Sequence, residues 1–400
     1  MMNLKNLLTS LIYSFIFLLP VQFGKHFFPS YAFIDGIRID YLDPTLYLTD
    51  IIFVILLITY YKKFVFRKTE LVAIFIILLV INIIFSLSPF VSIYKTIKYL
   101  EIILLFFMFS KITLSSKWVL WSFLLASIIQ IILVTLQITT AGSIQGLFYF
   151  LGERYFTIGT PGIAKVVING IEVLRPYGTF SHPNSLAGFF LLVHTFFLWN
   201  KDYKNYPLLK NLVVGASALL VLMSFSKIAI VILASTYVIY GLKNYNICKV
   251  CSIGKAFTMI LIATVFMTTQ GDPDTVQKRI LLAKHAIQII VNHALSGVGI
   301  GSYVIAESKF PNPFPYVFIE PVHNIFLLFV TEAGLILTFL TGVIIVPFLK
   351  KLWRNETARN VLIVIIVTGF FDHYWLTLQQ NILLMPVLFG FLQKRAAVVE

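Results

Sequence analysis

The sequence predicts an all-α fold, a polytopic integral membrane helical bundle of about 12 transmembrane helices with two long outer-face segments. Three observations carry this. Of 400 residues, 59% are hydrophobic and 12% charged, and the mean hydropathy is +0.91, whereas soluble domains carry about a quarter charged residues. The apolar residues fall in runs close to the length of about 20 needed to cross hydrocarbon. The cations are unevenly shared between alternate loops, as the positive-inside rule requires. Seventeen acidic and 31 basic residues cannot clothe a chain of this size in water. A soluble globular enzyme, a disordered chain and a disulfide-rich secreted module are therefore excluded, and residues 1–400 read as one membrane domain.

The elements follow in order. Lys5 and the apolar run from Leu7 to Pro20 look like a signal peptide. They lack a small-residue cleavage site and precede further spans, so they read as an uncleaved first helix, the span 7–23. Further spans are expected at 45–61, 71–87, 99–110, 118–139, 184–199, 212–224, 228–242, 256–270, 323–349, 360–371 and 374–392. The runs 99–110 and 360–371 are short for the hydrocarbon and must borrow flanking residues. With the N-terminus inside, the short inner segments hold 19 of the 31 cations, including Lys62, Lys63, Arg67, Lys68, Lys249, Lys255, Lys394 and Arg395, and leave 12 for the longer outer segments. Both termini are then cytoplasmic, and Trp118, Trp199 and Trp353 fall at inner interfaces. On this topology the formal charge of +14 reflects cytoplasmic retention and not nucleic acid. Cys248 and Cys251 lack a second Cys/His pair nearby and read as incidental thiols.

The outer segments 140–183 and 271–322 are longer than a bundle needs to turn, and such segments are usually functional or disordered. Thr275 to His293 reads as a helix with a polar stripe of Lys278, His285, Gln288 and Asn292. Arg279 lies on another of its faces, in line with Ala283, Ala286 and Ile290. Beyond it come Gly297-Val-Gly-Ile-Gly301 and Pro311-Asn-Pro-Phe-Pro315. The glycines follow a helix, so they are not a dinucleotide fingerprint, although their N–H groups suit an anion nest.

The outer face collects reactive side chains. His26, His182, His285, His293, His323 and His373 fall there, with Arg154, Arg175 and Arg279, while His194 lies mid-span. Guanidinium grips phosphate oxygens with a fixed fork of donors, and imidazole takes a proton near neutral pH. The densest polar string is Arg175-Pro-Tyr-Gly-Thr-Phe-Ser-His-Pro-Asn184, where Pro183 starts a helix capped by Ser181 or Asn184. Such a cap has no need of Arg175 or His182. Ser224-Phe-Ser-Lys227 is either a tight interhelical turn or a cationic site. His323-Asn324 opens the tenth span, and 323, 327, 331 and 334 share a helical face. Glu332 is an ionisable group within a span, which points to function. Asp372-His373 reads as a short turn, and Asp272-Pro-Asp274 as a helix start.

These stretches resemble the O-antigen ligase and O-antigen polymerase superfamily of polytopic membrane glycosyltransferases, over roughly residues 140–345. Arg175 to Ala187 is similar to the family's Arg-x-x-Gly-Thr-Phe followed by Pro-Asn. Ser224 to Lys227 stands where the family has Ser-x-Ser-Arg. Arg279 through Gly301 looks like its Arg-bearing helix leading into Gly-x-Gly. His323-Asn324 followed by Gly334 is similar to the ligase signature. Lys227 in place of Arg and Leu337 in place of a second Gly are departures.

The resemblance implies transfer of a glycan from a polyprenyl-diphosphate-linked donor to a sugar hydroxyl of a lipid acceptor, lipid A–core or a lipid-linked glycan. The reaction would take place at the outer face of a bacterial cytoplasmic (inner) membrane, with no cofactor, metal or nucleic acid. His323, Arg279 and Arg175 would be catalytic. Arg175 and Arg279 would hold the diphosphate, and His323 would deprotonate the acceptor. Lys227, His182, Asn184, Asn324 and Glu332 would bind substrate. An O-antigen or exopolysaccharide polymerase that extends a lipid-linked chain is the nearest alternative, and a transporter or lipid flippase the alternative of another class. A metal-dependent transferase would draw on Asp35, Asp40 or Asp43.

Overall fold

The computed structural model describes residues 4–60, 70–243 and 274–396, and between 244 and 273 only 260, 264 and 269–270. The expected span 256–270, Cys248, Cys251, Asp272 and the inner cations Lys62, Lys63, Arg67, Lys68, Lys249 and Lys255 lie outside the described residues, apart from those few positions. The side chains of Asp274, Lys394 and Arg395 are likewise not described.

The described chain is mostly helical. Its helices are α1 (Leu4–Phe17), α2 (Leu48–Tyr60), α3 (Glu70–Ile84), α4 (Pro89–Lys111), α5 (Ser116–Thr140), α6 (Pro183–Trp199), α7 (Pro207–Met223) and α8 (Lys227–Lys243). They continue with α9 (Asp274–Asn292), α10 (Tyr303–Glu307), α11 (Ile325–Trp353), α12 (Glu356–Gly369), α13 (Tyr374–Thr377) and α14 (Gln379–Ala396). By length and composition, α5 and α11 are long and apolar enough to cross a membrane, while α2, α6 and α7 are apolar but shorter. Many outward-facing residues of α3 are Ile and Val, among them Ile76, Ile77 and Ile84. A helix that is apolar on its outer side as well as its inner one suits lipid, not water.

α4 starts ten residues before the run predicted at 99–110. Lys95, Lys98 and Glu101 interrupt the apolar pattern, yet Lys98 and Glu101 are buried. The Lys98 ammonium is paired with Asp50 of α2 and Glu101, so the helix carries its charges inward. Trp118 and Trp353 are exposed at helix ends. Trp199 is buried, set edge-on to Tyr240 with the Lys243 ammonium over its ring. His194 is also internal, and its Nδ1–H donates to the Val214 carbonyl.

At the centre stands α6, buried along almost its whole length against α7, α8, α12 and α14. It is apolar all round because it has neighbours all round. Its first residues therefore sit on the most constrained element of the bundle. A second, smaller core joins the outer segments. Ile39 and Leu42 pack there with Leu282, Ala286 and Ile289 of α9, and with Val298, Tyr303, Phe318, Val322 and Leu328.

Small antiparallel sheets complete the outer segments, an addition to the all-α expectation. β1 (Gly24–His26) pairs with β4 (Thr45–Tyr47), His26 opposite Thr45. β2 (Phe33–Ile34) and β3 (Ile37–Arg38) form a hairpin. β5 (Lys165–Ile168) pairs with β6 (Ile171–Leu174) through Asn169-Gly170, both at positive φ, and with β7 (Thr269–Gln270). An Asn-Gly pair is the preferred chemistry for that tight turn.

Candidate active site

The string from Arg175 to Asn184 crosses the top of the bundle without regular structure, so its backbone must find partners elsewhere. Two buried glutamines of α5 supply them. Gln137 Oε1 accepts from the N–H groups of Tyr177 and Gly178, at 3.0 and 2.8 Å, and its Nε2 donates to the Gly178 carbonyl at 3.0 Å. Gln130 Oε1 accepts from Thr179 N, and its Nε2 donates to Thr179 Oγ1 at 2.7 Å. Gly178 has φ +58°, and a Cβ there would lie 2.4 Å from Gln130 Oε1. Conformation and space both demand glycine.

So held, Arg175 bridges the polar motifs. Its Nε donates to the Ser224 carbonyl at 3.1 Å and its Nη2 to Asn184 Oδ1 at 2.7 Å. Ser224 is presented by the Ser224–Lys227 turn, in which Phe225 takes φ +54° and Ser224 Oγ accepts from Ser226 N. That turn therefore supports Arg175. Lys227 is exposed at the start of α8. The Asn184 amide uses its other end on Asp372, Nδ2 donating to Oδ2 at 2.9 Å. Asp372 Oδ1 accepts from His373 N at 2.8 Å. A relay thus runs from guanidinium through amide to carboxylate, each donor facing an acceptor.

His182 is itself the cap of α6, where Ser181 or Asn184 was expected. Its Nδ1 accepts from Asn184 N at 3.1 Å, which places the proton on Nε2. Pro183 has no N–H to offer, so the acceptor must reach the next one. Burial pushes the His182 imidazole down to about 3, against the raising effect of Asp372. Burial also lowers His373 to about 3 and Arg175 to about 10. Asp372 is held below the usual carboxylate range: burial would raise it, but the imidazoles of His323, His373 and His182 and the Asn184 amide lower it.

His323 ends the loop before α11 and is not part of that helix. Asn324 is the cap, its Oδ1 accepting from Phe326 N and Leu327 N at 2.9 and 3.0 Å. The common helical face expected for 323 and 334 does not form, because the helix begins after His323 and breaks at Gly334. His323 Nδ1 lies 3.1 Å from the Pro321 carbonyl. A carbonyl only accepts, so Nδ1 carries the proton and Nε2 keeps the lone pair. The His323 ring stands edge-on to His373 at 5.2 Å, and Tyr41 from the N-terminal outer segment stands edge-on to His373 at 5.5 Å.

The glycine loop 297–301 is spent on the chain itself. Gly334 breaks α11 at φ +73° and ψ 169°, and a Cβ there would lie 2.4 Å from Gly297 N. Into the break go the N–H groups of Val298, bonded to the Thr331 carbonyl, and Gly299, bonded to the Glu332 carbonyl, each at 3.0 Å. Asn82 of α3 clasps both sides, donating to the Ser296 and Glu332 carbonyls and accepting from Ile300 N. The Glu332 carboxylate is buried and accepts from Tyr303 N at 3.4 Å. The N–H groups of Val298, Gly299 and Ile300 are thus taken by the chain's own oxygens.

Arg279 projects from α9 toward the same region. Its charge is felt at Arg175 and at His373, and its buried Nε has no hydrogen-bond partner among the described residues. The acids of the metal-dependent alternative are engaged elsewhere. Asp40 pairs with Arg38 at 2.9 Å, Asp43 is buried against His26, Thr45 and Phe28 N, and Asp35 sits in the β2–β3 turn at φ +49°.

The structure brings Arg175, Arg279, His182, Asn184 and His323 together. Asn324 and Glu332 stand behind them, Asn324 capping α11 and Glu332 clasping the glycine loop. Asp372, His373 and Tyr41 join the cluster without having been expected. The first two were visible as an acidic-imidazole pair between two apolar runs and were discounted as a turn. Tyr41 carries no local signal, since only the packing of residues 24–47 over the bundle brings it there.

No curated protein matches the chain. Residues 180–342, which hold Asn184, Arg279 and His323, match the family model described as O-antigen ligase, a match that supports the O-antigen ligase superfamily.

Proposed function

We propose that the protein is an O-antigen ligase-like glycosyltransferase, moving a glycan from a polyprenyl diphosphate carrier to a sugar hydroxyl of a lipid acceptor, lipid A–core, at the outer face of the cytoplasmic membrane. About twelve spans with both termini cytoplasmic make up its single membrane domain. The observation that carries this reading is the cluster in which Arg175 is joined through Asn184 to Asp372, with the charge of Arg279 felt at Arg175 and the imidazole of His323 felt at Asp372.

The roles follow from the chemistry. The diphosphate is already an activated leaving group, so the protein has to hold charge and align two substrates. Arg175 and Arg279 grip the diphosphate and stabilise the charge it gains. His323 Nε2 takes the proton of the acceptor hydroxyl, the acceptor oxygen bonds to the anomeric carbon, and the bond from that carbon to the diphosphate oxygen breaks. Asn184 and Asp372 fix the direction of Arg175. His182, neutral and capped, orders the entrance of α6, and Lys227 assists at the rim of the diphosphate site. Asn324 and Glu332 hold the backbone on either side of His323 and α10.

The test is turnover in liposomes. Purified protein receives a polyprenyl-diphosphate-linked glycan and a lipid A–core extract, and mass spectrometry follows free carrier and glycan. Carrier release that is lost in Arg175→Ala and Arg279→Ala, with glycan on the core, supports ligation. A longer chain on the carrier indicates polymerisation. Absence of release with any acceptor, together with movement of lipid or solute across the bilayer, refutes the enzyme reading.

A further inference from the structure

Glu320 stands three residues before His323 and was not among the residues singled out from the sequence. Its Oε2 lies 3.9 Å from His323 Nε2, the nitrogen that carries the lone pair. The gap is too long for a direct hydrogen bond. The Glu320 side chain is 46% exposed and that of His323 19%, so the pair opens outward from the bundle. Among the described residues nothing donates a hydrogen bond to the Glu320 carboxylate.

The surroundings have a definite character. The charge of Glu320 is felt at Tyr41 and at Tyr177, as is that of Arg154. The Arg154 guanidinium lies 5.7 Å from the centre of the Tyr177 ring and donates to the Ser181 carbonyl at 3.4 Å. The rim beside His323 therefore carries an exposed carboxylate. A carboxylate there repels a diphosphate and accepts hydrogen bonds from hydroxyl groups, which a sugar presents.

We propose that Glu320 is an acceptor-binding residue: its carboxylate accepts a hydrogen bond from a hydroxyl of the acceptor sugar adjacent to the one facing His323 Nε2, which selects a neutral sugar with two neighbouring hydroxyl groups. This rests on the glycosyl-transfer reading above. In the transfer step the attacking hydroxyl gives its proton to Nε2, and the imidazolium so formed lies beside the Glu320 carboxylate. The acceptor oxygen bonds to the anomeric carbon and the diphosphate leaves with the electron pair of the broken bond. An acceptor bearing phosphate or carboxylate at that position meets a like charge and is rejected.

The experiment uses full-length protein in liposomes, a polyprenyl-diphosphate-linked glycan as donor and a lipid A–core extract as acceptor, with each varied in turn. Glu320→Gln raises the acceptor KM about tenfold, the cost of losing one charged hydrogen bond, and leaves the donor KM within about twofold. Glu320→Asp recovers part of the loss. A purely structural role would move both KM values together. An unchanged acceptor KM in Glu320→Gln, or acceptor and donor KM values that move together, overturns the proposal while leaving glycosyl transfer intact. Wild-type protein that releases no carrier overturns both.

Discussion

Asn184→Asp replaces one atom group in a relay that joins a cation to an anion. Asn184 Oδ1 accepts from Arg175 Nη2 at 2.7 Å, and Nδ2 donates to Asp372 Oδ2 at 2.9 Å. A carboxylate at 184 keeps the first contact and turns it into an ion pair. It has no donor for the second, so two anionic oxygens would face one another at 2.9 Å. With an effective dielectric constant of about 20, that repulsion is about 6 kcal/mol. The pair escapes by sharing one proton. Loading a proton at pH 7 onto a group whose ordinary pKa is about 4 costs about 4 kcal/mol, at about 1.4 kcal/mol per unit. The folded pair then has a pKa raised above its unfolded value, so its contribution is present at low pH and lost as pH rises. Thermal unfolding of the purified full-length variant and wild type between pH 5 and 7 reads this directly. The variant is destabilised at pH 7, and the gap to wild type narrows by about 1.4 kcal/mol per unit of acidification. Asn184→Leu serves as contrast, because it loses both bonds with no such recovery. Asn184→Asp with wild-type stability at pH 7, or with a gap that ignores pH, would refute the relay.

Further expectations follow from the same geometry. His323→Ala lowers turnover about 10²- to 10⁴-fold, the usual worth of a general base, with little change in unfolding temperature; retained turnover would remove the base assignment. Gly334→Ala forces a Cβ to 2.4 Å from Gly297 N at φ +73° and costs about 3 kcal/mol or more, visible as loss of monodisperse protein on size exclusion. Gln137→Leu strips the acceptor from Tyr177 N and Gly178 N and costs about 2–4 kcal/mol, read as a lower unfolding temperature. His182 and His373 are pushed down to about 3 by burial, so the unfolded chain binds more protons between that value and about 6.5. Stability is therefore lost as pH falls through that window, by about 1.4 kcal/mol per histidine at one unit below 6.5, and His182→Gln flattens this loss at the same time as it weakens the α6 cap.

Long apolar runs were legible because helix formation in lipid is a local matter: each backbone group must bond within its own segment. The positions of α5, α6, α8 and α11 follow from their own residues. The break at Gly334 does not, since 323 to 334 were expected on one helical face. α4 was underestimated because Lys98 and Glu101 look like a helix end when read singly. They continue the helix only because Asp50 of α2, distant in the chain, receives the Lys98 ammonium.

The candidate site divides in the same way. Arg175, Arg279 and His323 stood out by residue type, since guanidinium and imidazole between apolar runs have few other uses. Their meeting did not. Arg175 reaches Asn184 and the Ser224 carbonyl only because buried glutamines of α5 hold the intervening backbone. Glu332 looked like a substrate ligand and proved to accept Tyr303 N beside the glycine loop. Asp372 and His373, Tyr41 and Glu320 join the candidate site through packing of three separate segments. The order of residues settled composition, helix positions and chemical repertoire, all governed by neighbours along the chain. The folded bundle settled which groups share a proton, which merely cap a helix and which face outward, because those outcomes depend on distances between residues far apart in sequence.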